Sequence, residues 1–223
     1  MKYVSVEEKC KNLRTMLSEE RLNQNYLAFI NRMEKYGCKS ETLLDELGER
    51  IKYGTYNRNE EDGGCYNGSL IDITLNVLCK IGYQINENVF GGENALKRHV
   101  FLQCDSKSLM KVLLLLNIAK AEMYEPETEN WKLKKGMMFR FSDSLQTSLK
   151  TGARTVYLCQ KYGIKLTEEE FEALLFFDVE DDMPDKYRSP LCMLVRAAVA
   201  FTAVELRQIY LDKNKIEKNS LEQ

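Results

Sequence analysis

Histidine is almost absent from this chain, since His99 is the only one among its 223 residues. Histidine is the commonest metal ligand in proteins and the usual general base near neutral pH. A single copy excludes a metal site built from several histidines. His99 follows Lys97 and Arg98, which favours an exposed, solvated side chain.

Long hydrophobic runs and an excess of one charge are also missing. The most apolar segment, residues 191–206, contains Arg196 and Glu205 and is shorter than the roughly 20 apolar residues of a membrane span. The first residues lack the apolar centre of a signal peptide. We therefore expect a cytoplasmic protein with no membrane partner. The 32 basic residues nearly balance the 34 acidic ones, which argues against a nucleic-acid ligand.

Paired cysteines are absent as well. Seven cysteines are scattered along the chain, and no Cys-x-x-Cys pair occurs. Disulfide frameworks and structural zinc sites need closer spacing, so we expect free thiols and no nucleophilic cysteine. With 44% hydrophobic and 30% charged residues, the composition is that of an ordinary globular protein.

The apolar residues recur at helical spacing, and only three prolines interrupt the chain. This pattern predicts a mainly α-helical fold. The predicted helical segments are 6–17, 22–33, 43–51, 69–81, 112–119, 148–162, a helix that begins at 167, and 190–214. The residues suited to begin helices as N-caps are Ser40, Asp105, Thr167 and Ser189. A short β-hairpin is predicted at residues 131–141, around a turn at Lys135-Gly136.

The sequence predicts three parts along the chain. Helices in residues 1–54 pack on a helical domain formed by residues 55–212, and residues 213–223 form a frayed tail rich in Lys, Glu and Asn. The boundary rests on the polar, glycine-containing stretch 55–67, which has no apolar period. Residues 84–101 are predicted to be irregular.

Four short motifs follow one another within residues 43–211. They are GSLIDITLNV at 68–77, LLLNIAK at 114–120, LKTGARTVYL at 149–158 and SPLCMLVRAAVA at 189–200. They are similar to G-x-L-x-x-H-[ST]-L-x-V, L-L-H-D-[IL]-x-K, L-G-H-G-E-K-S-x-x-L and Y-P-L-x-x-x-L-H-x-A-D-x of the bacterial and phage HD-domain proteins. The chain thus resembles a branch of the HD superfamily, which implies an HD-like helical bundle with a small β-hairpin.

The resemblance also implies histidine and aspartate ligands that hold one or two divalent ions for phosphoester hydrolysis. At those positions this chain has Ile73, Leu116, Asn117, Thr151, Phe177, Arg196 and Val199. Aliphatic and aromatic side chains cannot bind a cation, and arginine repels one. We therefore expect no cofactor, no catalysis, and a pocket refilled with apolar side chains.

Polar residues on and near the motifs are candidates for a vestigial pocket. They are Asp72, Asn117, Lys120, Lys150, Thr151, Arg154, Asp178 and Arg196. The basic members could hold an anion without a metal, or each could pair with a carboxylate. The resulting hypothesis is a binding or regulatory module for a protein partner or a small anionic ligand.

Two alternatives stay open at this level. One is a divergent phosphohydrolase for a nucleotide or another phosphoester, with Mg²⁺ held by Asp72, Asp178 and Glu180 near Asn117. The acidic stretch 178–185 is otherwise a solvated loop. The other is a structural or oligomeric module, which predicts an apolar patch and no pocket; the oligomeric state itself is open.

Overall fold

The described part of the chain comprises residues 17–86, 104–179 and 188–221 of a computed structural model. Several predictions lie outside these residues: the helical segment 6–16, most of the predicted irregular stretch 84–101, with His99, and the acidic residues 180–185. Residues 84–86, which the sequence also predicts to be irregular, belong to the helix Ser69–Asn86.

Helices dominate the described residues, and one small antiparallel sheet accompanies them, as the sequence predicts. The helices are α1 Glu19–Lys35, α2 Glu41–Tyr53, α3 Ser69–Asn86, α4 Ser106–Leu115, α5 Lys120–Met123, α6 Asn130–Lys134, α7 Thr151–Lys161, α8 Glu168–Phe176 and α9 Pro190–Leu221, with a 3₁₀ helix at Glu60–Asp62; the strands are β1 Tyr124–Pro126 and β2 Phe139–Phe141. In these residues, no helix combines the length and apolar character needed to cross a membrane.

The four predicted N-caps are confirmed by side-chain hydrogen bonds to the first turns of their helices. Ser40 accepts from the Leu43 N–H, Asp105 from Ser108, Thr167 from Glu170 and Ser189 from Cys192. The Glu170 carboxylate also accepts from the Thr167 N–H at 3.0 Å, which completes a capping box. Local sequence therefore sets where these helices begin.

The centre of the bundle is α4, which is packed against α1, α3, α8 and α9. Every residue from 112 to 119 is buried. A helix that is apolar on all sides is stable only when neighbours surround it. The other helices therefore lie around α4, and one hydrophobic cluster includes Phe29 and Met33 of α1 together with Leu191 of α9.

The helix predicted through residues 112–119 ends earlier, at Leu115. Tighter bonds replace the α-helical ones in the next turn: the Ile118 N–H donates to Leu115 O at 2.9 Å, and the Lys120 N–H to Asn117 O at 2.9 Å. The Thr155 hydroxyl of α7 donates to the freed Leu116 carbonyl at 3.3 Å. A contact from a distant helix thus satisfies a carbonyl that the helix end leaves open.

The prediction of a hairpin at residues 131–141 is wrong for one of its two strands. Phe139–Phe141 is a strand, but its partner is Tyr124–Pro126, while Asn130–Lys134 forms α6. The buried Glu127 carboxylate accepts from the backbone N–H groups of the next two residues, at 2.9 and 3.0 Å. These bonds turn the chain into α6. The Lys135-Gly136 turn then ends that helix, with Gly136 at φ 78°.

The last helix extends to Leu221, beyond the end near residue 214 that the sequence predicts. Lysine and glutamate, which this segment contains, are good helix formers. The boundary predicted at residue 55 and the frayed tail stay predictions.

A buried ion pair joins α4 to α8. The Lys111 ammonium lies 2.6 Å from Glu170 Oε2, and the side chains are only 12% and 3% exposed. The same ammonium donates to the Lys165 carbonyl at 2.7 Å. Because Glu170 also belongs to the capping box, one carboxylate holds the start of α8 against the central helix.

We expect Lys111→Met to lower the free energy of unfolding by about 3 kcal/mol, because it leaves the Glu170 carboxylate buried without its cation. Urea titration followed by circular dichroism measures the change. Lys107→Met, at an exposed position of the same helix, is the matched control and should stay within about 0.5 kcal/mol of the wild type. Equal stability of the two variants would contradict a stabilising role for the pair.

Candidate functional site

Most of the candidate residues lie where the turn after α4, the start of α7 and the end of α8 meet. Asn117 and Lys120 belong to the turn and to α5. Lys150 is the N-cap of α7 and Thr151 its first residue. Asp178 follows the last turn of α8 and reaches the start of α7. Tertiary packing thus brings two of the sequence motifs, 114–120 and 149–158, together with Asp178.

Asp178 connects the end of α8 to the start of α7 through a hydrogen bond. Its Oδ2 accepts from the Gly152 N–H at 3.2 Å, so its negative charge lies at the positive end of the α7 dipole. A Cβ on Gly152 would lie 2.5 Å from the Leu174 carbonyl oxygen, so only glycine allows this approach. The other oxygen, Oδ1, is buried without a hydrogen-bond partner in the described residues.

The Lys120 ammonium packs against Tyr56 in the loop before α3. It donates to the Tyr56 carbonyl at 2.7 Å and lies 4.0 Å from the centre of the Tyr56 ring. Burial lowers the pKa of Lys120 to about 7, although the Asp178 and Asp62 carboxylates act in the opposite direction. Near neutral pH, a large fraction of Lys120 is therefore uncharged, which weakens it as an anion-binding residue.

A small cleft lies beside this lysine. Its lining consists of Tyr56, Thr74, Val77, Leu113, Leu116, Asn117, Ala198, Val199 and Thr202. The cleft has a volume of about 10 Å³, which is room for about one water molecule. Burial raises the pKa of the Tyr56 hydroxyl to about 12, and a hydrogen bond with Asn117 partly offsets the shift. The cleft therefore holds neutral polar groups among aliphatic ones.

Three positions to which the HD resemblance assigns metal ligands line this cleft: Leu116, Asn117 and Val199. Only the Asn117 amide could offer an oxygen, and one neutral oxygen does not hold a divalent ion. Ile73 and Phe177 are buried apolar side chains. The residues present therefore do not fit the metal centre that the resemblance implies.

Arg154 has a structural role, because its guanidinium is held by contacts within the fold. It is 5% exposed, and its guanidinium pairs with Glu122 of α5 at 3.0 Å. It also donates to the Thr147 carbonyl at 2.7 Å and to the Thr147 hydroxyl at 3.1 Å. The side chain thus ties α7 to α5 and to the loop before α7, and it does not join an anion pocket.

Asp72 of α3 forms hydrogen bonds with residues that do not line the cleft. Its carboxylate accepts from the Asn25 amide at 3.0 Å and from the Tyr66 hydroxyl at 2.8 Å. Burial, with the nearby Asp72 charge, raises the pKa of Tyr66 and keeps it a donor. Glu180 lies outside the described residues, and within them no group of three or more His, Cys, Asp or Glu side chains could hold a metal ion.

The remaining basic candidates do not gather around one point. Lys150 is exposed at the surface. Arg196 lies on α9, partly buried, with an Nη1 that has no hydrogen-bond partner in the described parts of the chain. Neither residue lines the cleft beside Asn117. The structure therefore gives the predicted anion pocket no common set of donors.

Tyr56 is the most buried aromatic residue of the site, and sequence reasoning missed it, as it did the two threonines of the lining. It is 8% exposed, accepts from Lys120 through its carbonyl and lines the cleft through its ring. Its neighbour Arg58 lies 4.1 Å from the Phe141 ring. The signal was weak, one of two tyrosines in a mostly polar stretch, because loop residues carry no periodicity to show which side they bury.

The cysteines of the described residues are free thiols, as expected. Burial raises the pKa of Cys38, Cys65 and Cys159 to about 12. Thiols with such pKa values are protonated and unreactive at neutral pH. Cys10 lies outside the described residues.

Comparison of the chain with protein-family models, with curated proteins and with solved structures finds no match.

Titration of Lys120 makes stability depend on pH. Its pKa is about 7 in the folded protein and 10.5 in the unfolded chain, so between these values the unfolded chain binds the extra proton. Stability therefore rises with pH. Relative to Lys120→Met, the wild type should gain up to about 1.4 kcal/mol per pH unit between pH 7 and pH 10.

Urea titrations of both proteins across this pH range measure the difference. Lys150→Met removes an exposed ammonium at the same site and controls for the loss of one positive charge. A difference between the wild type and Lys120→Met that stays flat or falls with rising pH would refute the burial of this amine.

Proposed function

We propose that this chain is a catalytically inactive, HD-like helical module that acts by binding a protein partner at its surface. One observation carries the proposal. Three of the positions that resemble HD metal-ligand positions meet at a cleft, and there they present Leu116, Val199 and the amide of Asn117. Aliphatic side chains fill the space where the family holds its ions.

The size of the cleft supports a surface function over an interior one. A small-molecule site has a volume of about 300 Å³ or more, whereas this cleft has room for about one water molecule. Phe201 and Val204, by contrast, expose 77% and 70% of their surface on α9. Large apolar side chains in contact with solvent favour association with another protein.

A small anionic ligand is the second candidate, and the unpartnered Arg196 Nη1 is the observation that favours it. The site is less suitable in other respects. Lys120 has a pKa of about 7, and the Asp178 and Asp62 carboxylates interact electrostatically with its amino group. Nearby carboxylates repel an anion, so we rank this function below protein binding.

Metal analysis separates the proposal from the alternative of a divergent phosphohydrolase. The chain is equilibrated with Mn²⁺, Mg²⁺ and Fe²⁺ and then passed through a desalting column. Elemental analysis should find no stoichiometric ion, because the three ligand-like positions at the cleft offer one neutral oxygen.

A bound ion that is lost in Asp178→Asn or Asp72→Asn would overturn the proposal and restore the hydrolase hypothesis. Asp45→Asn is the matched control, since it removes an exposed carboxylate from α2. An ion lost equally in all three variants would indicate nonspecific surface binding, and the proposal would stand.

A further inference from the structure

The long helix α9 has two faces of opposite character. Its inner face packs on α4, α8 and the 3₁₀ helix, with Leu191 and Val195 fully buried. On the opposite face lies a row that we call the outer seam: Ala197, Phe201, Val204, Gln208 and Leu211. All of these residues are exposed. The folded chain therefore leaves the apolar residues of this row in water, where they can contact another protein.

The spacing of the outer seam is that of a coiled coil. Its members alternate steps of four and three residues from 197 to 211, the spacing of the a and d positions of a heptad. With Phe201 and Gln208 at a, Val204 and Leu211 occupy d. A single polar residue at an a position is a known means of setting the register between two identical helices. The row is thus suited to pack against a copy of itself.

The charges beside the seam favour one orientation. Arg207 flanks it on one side, and Glu205 and Asp212 flank it on the other. In a parallel pair, the g position of one helix meets the next e position of its partner, so Arg207 of each chain faces Asp212 of the other. An antiparallel pair would bring like charges together. Charge complementarity therefore favours parallel pairing.

The present contacts of these charges do not prevent such pairing. Asp212 accepts from Gln208 at 2.9 Å within the same helix, and Glu205 pairs with Lys80 of α3. These side chains are exposed, and exposed polar pairs contribute little stability. They can exchange partners at small cost.

We propose that the outer seam of α9 binds the outer seam of a second copy of this chain, with the two helices parallel in a two-fold symmetric dimer. The inference rests on the proposed function in taking a protein as the ligand. The two-fold axis forms the Arg207–Asp212 contact twice, which is a feature of closed, self-complementary interfaces.

Sedimentation velocity of the full chain, from low micromolar to several hundred micromolar, tests the dimer. We expect the wild type to associate and Val204→Glu to raise the dissociation constant at least tenfold, because it buries a charge in the seam. Phe171→Glu is the matched control, since Phe171 is exposed on α8 outside the seam, and it should associate like the wild type. Thermal unfolding at low concentration checks that both variants fold.

Two further sets of variants test the orientation. Arg207→Glu and Asp212→Arg should each weaken the dimer, and the double variant should restore it. Phe201→Cys and Leu211→Cys, in a Cys79→Ser background that removes an exposed thiol, should each form an interchain disulfide. A parallel pair aligns both positions with themselves, whereas an antiparallel pair aligns at most one.

Three results would overturn the inference: a monomer at several hundred micromolar, a dimer that Val204→Glu leaves unchanged, or a crosslink at only one of the two cysteine positions. The failure of the proposed function has a different signature. A stoichiometric ion bound through Asp178 would refute it whether or not the chain dimerises. A metal-free monomer would refute the dimer alone.

Discussion

Burial of the central helix α4 is the constraint on which the rest of the structure depends. Its residues from 112 onward are apolar on every side, so the helix is stable only inside a shell of other helices. Polar groups next to this apolar segment must then find partners in that shell. Lys111, in the middle of α4, pairs with Glu170 of α8, and the Leu116 carbonyl, just after the helix ends, accepts from Thr155 of α7.

The same constraint explains the small size of the candidate site. The cleft lies at the end of α4, where α9 packs against that helix, and Leu116 and Val199 are among its lining residues. Protein interiors are packed too closely to leave a void there without loss of stability. Aliphatic residues at these positions therefore stabilise the bundle, and the polar groups at and beside the cleft include the Tyr56–Asn117 contact and the partly neutral Lys120.

Sequence patterns predicted the helices well and the site only in part. Helical periodicity and the caps at Ser40, Asp105 and Thr167 depend on residues a few positions apart, so local sequence contains them. The early end of α4 and the partner of the Phe139–Phe141 strand depend on contacts with distant residues, and they were mispredicted. Asn117, Lys120 and Asp178 share one region, whereas Asp72 and Arg154 are held by Asn25 and Glu122.

The sequence by itself determined the helical class, the starts of the four capped helices and the scarcity of histidine, because each follows from residue type and short-range spacing. The tertiary structure decided which polar residues lie together at the site and which form ion pairs or hydrogen bonds elsewhere in the fold. Those pairings join segments that are far apart in the chain. It also decided that the outer seam of α9 is exposed. An apolar residue at helical spacing looks the same in the sequence whether it faces the core or solvent, and only the position of the neighbouring helices distinguishes the two.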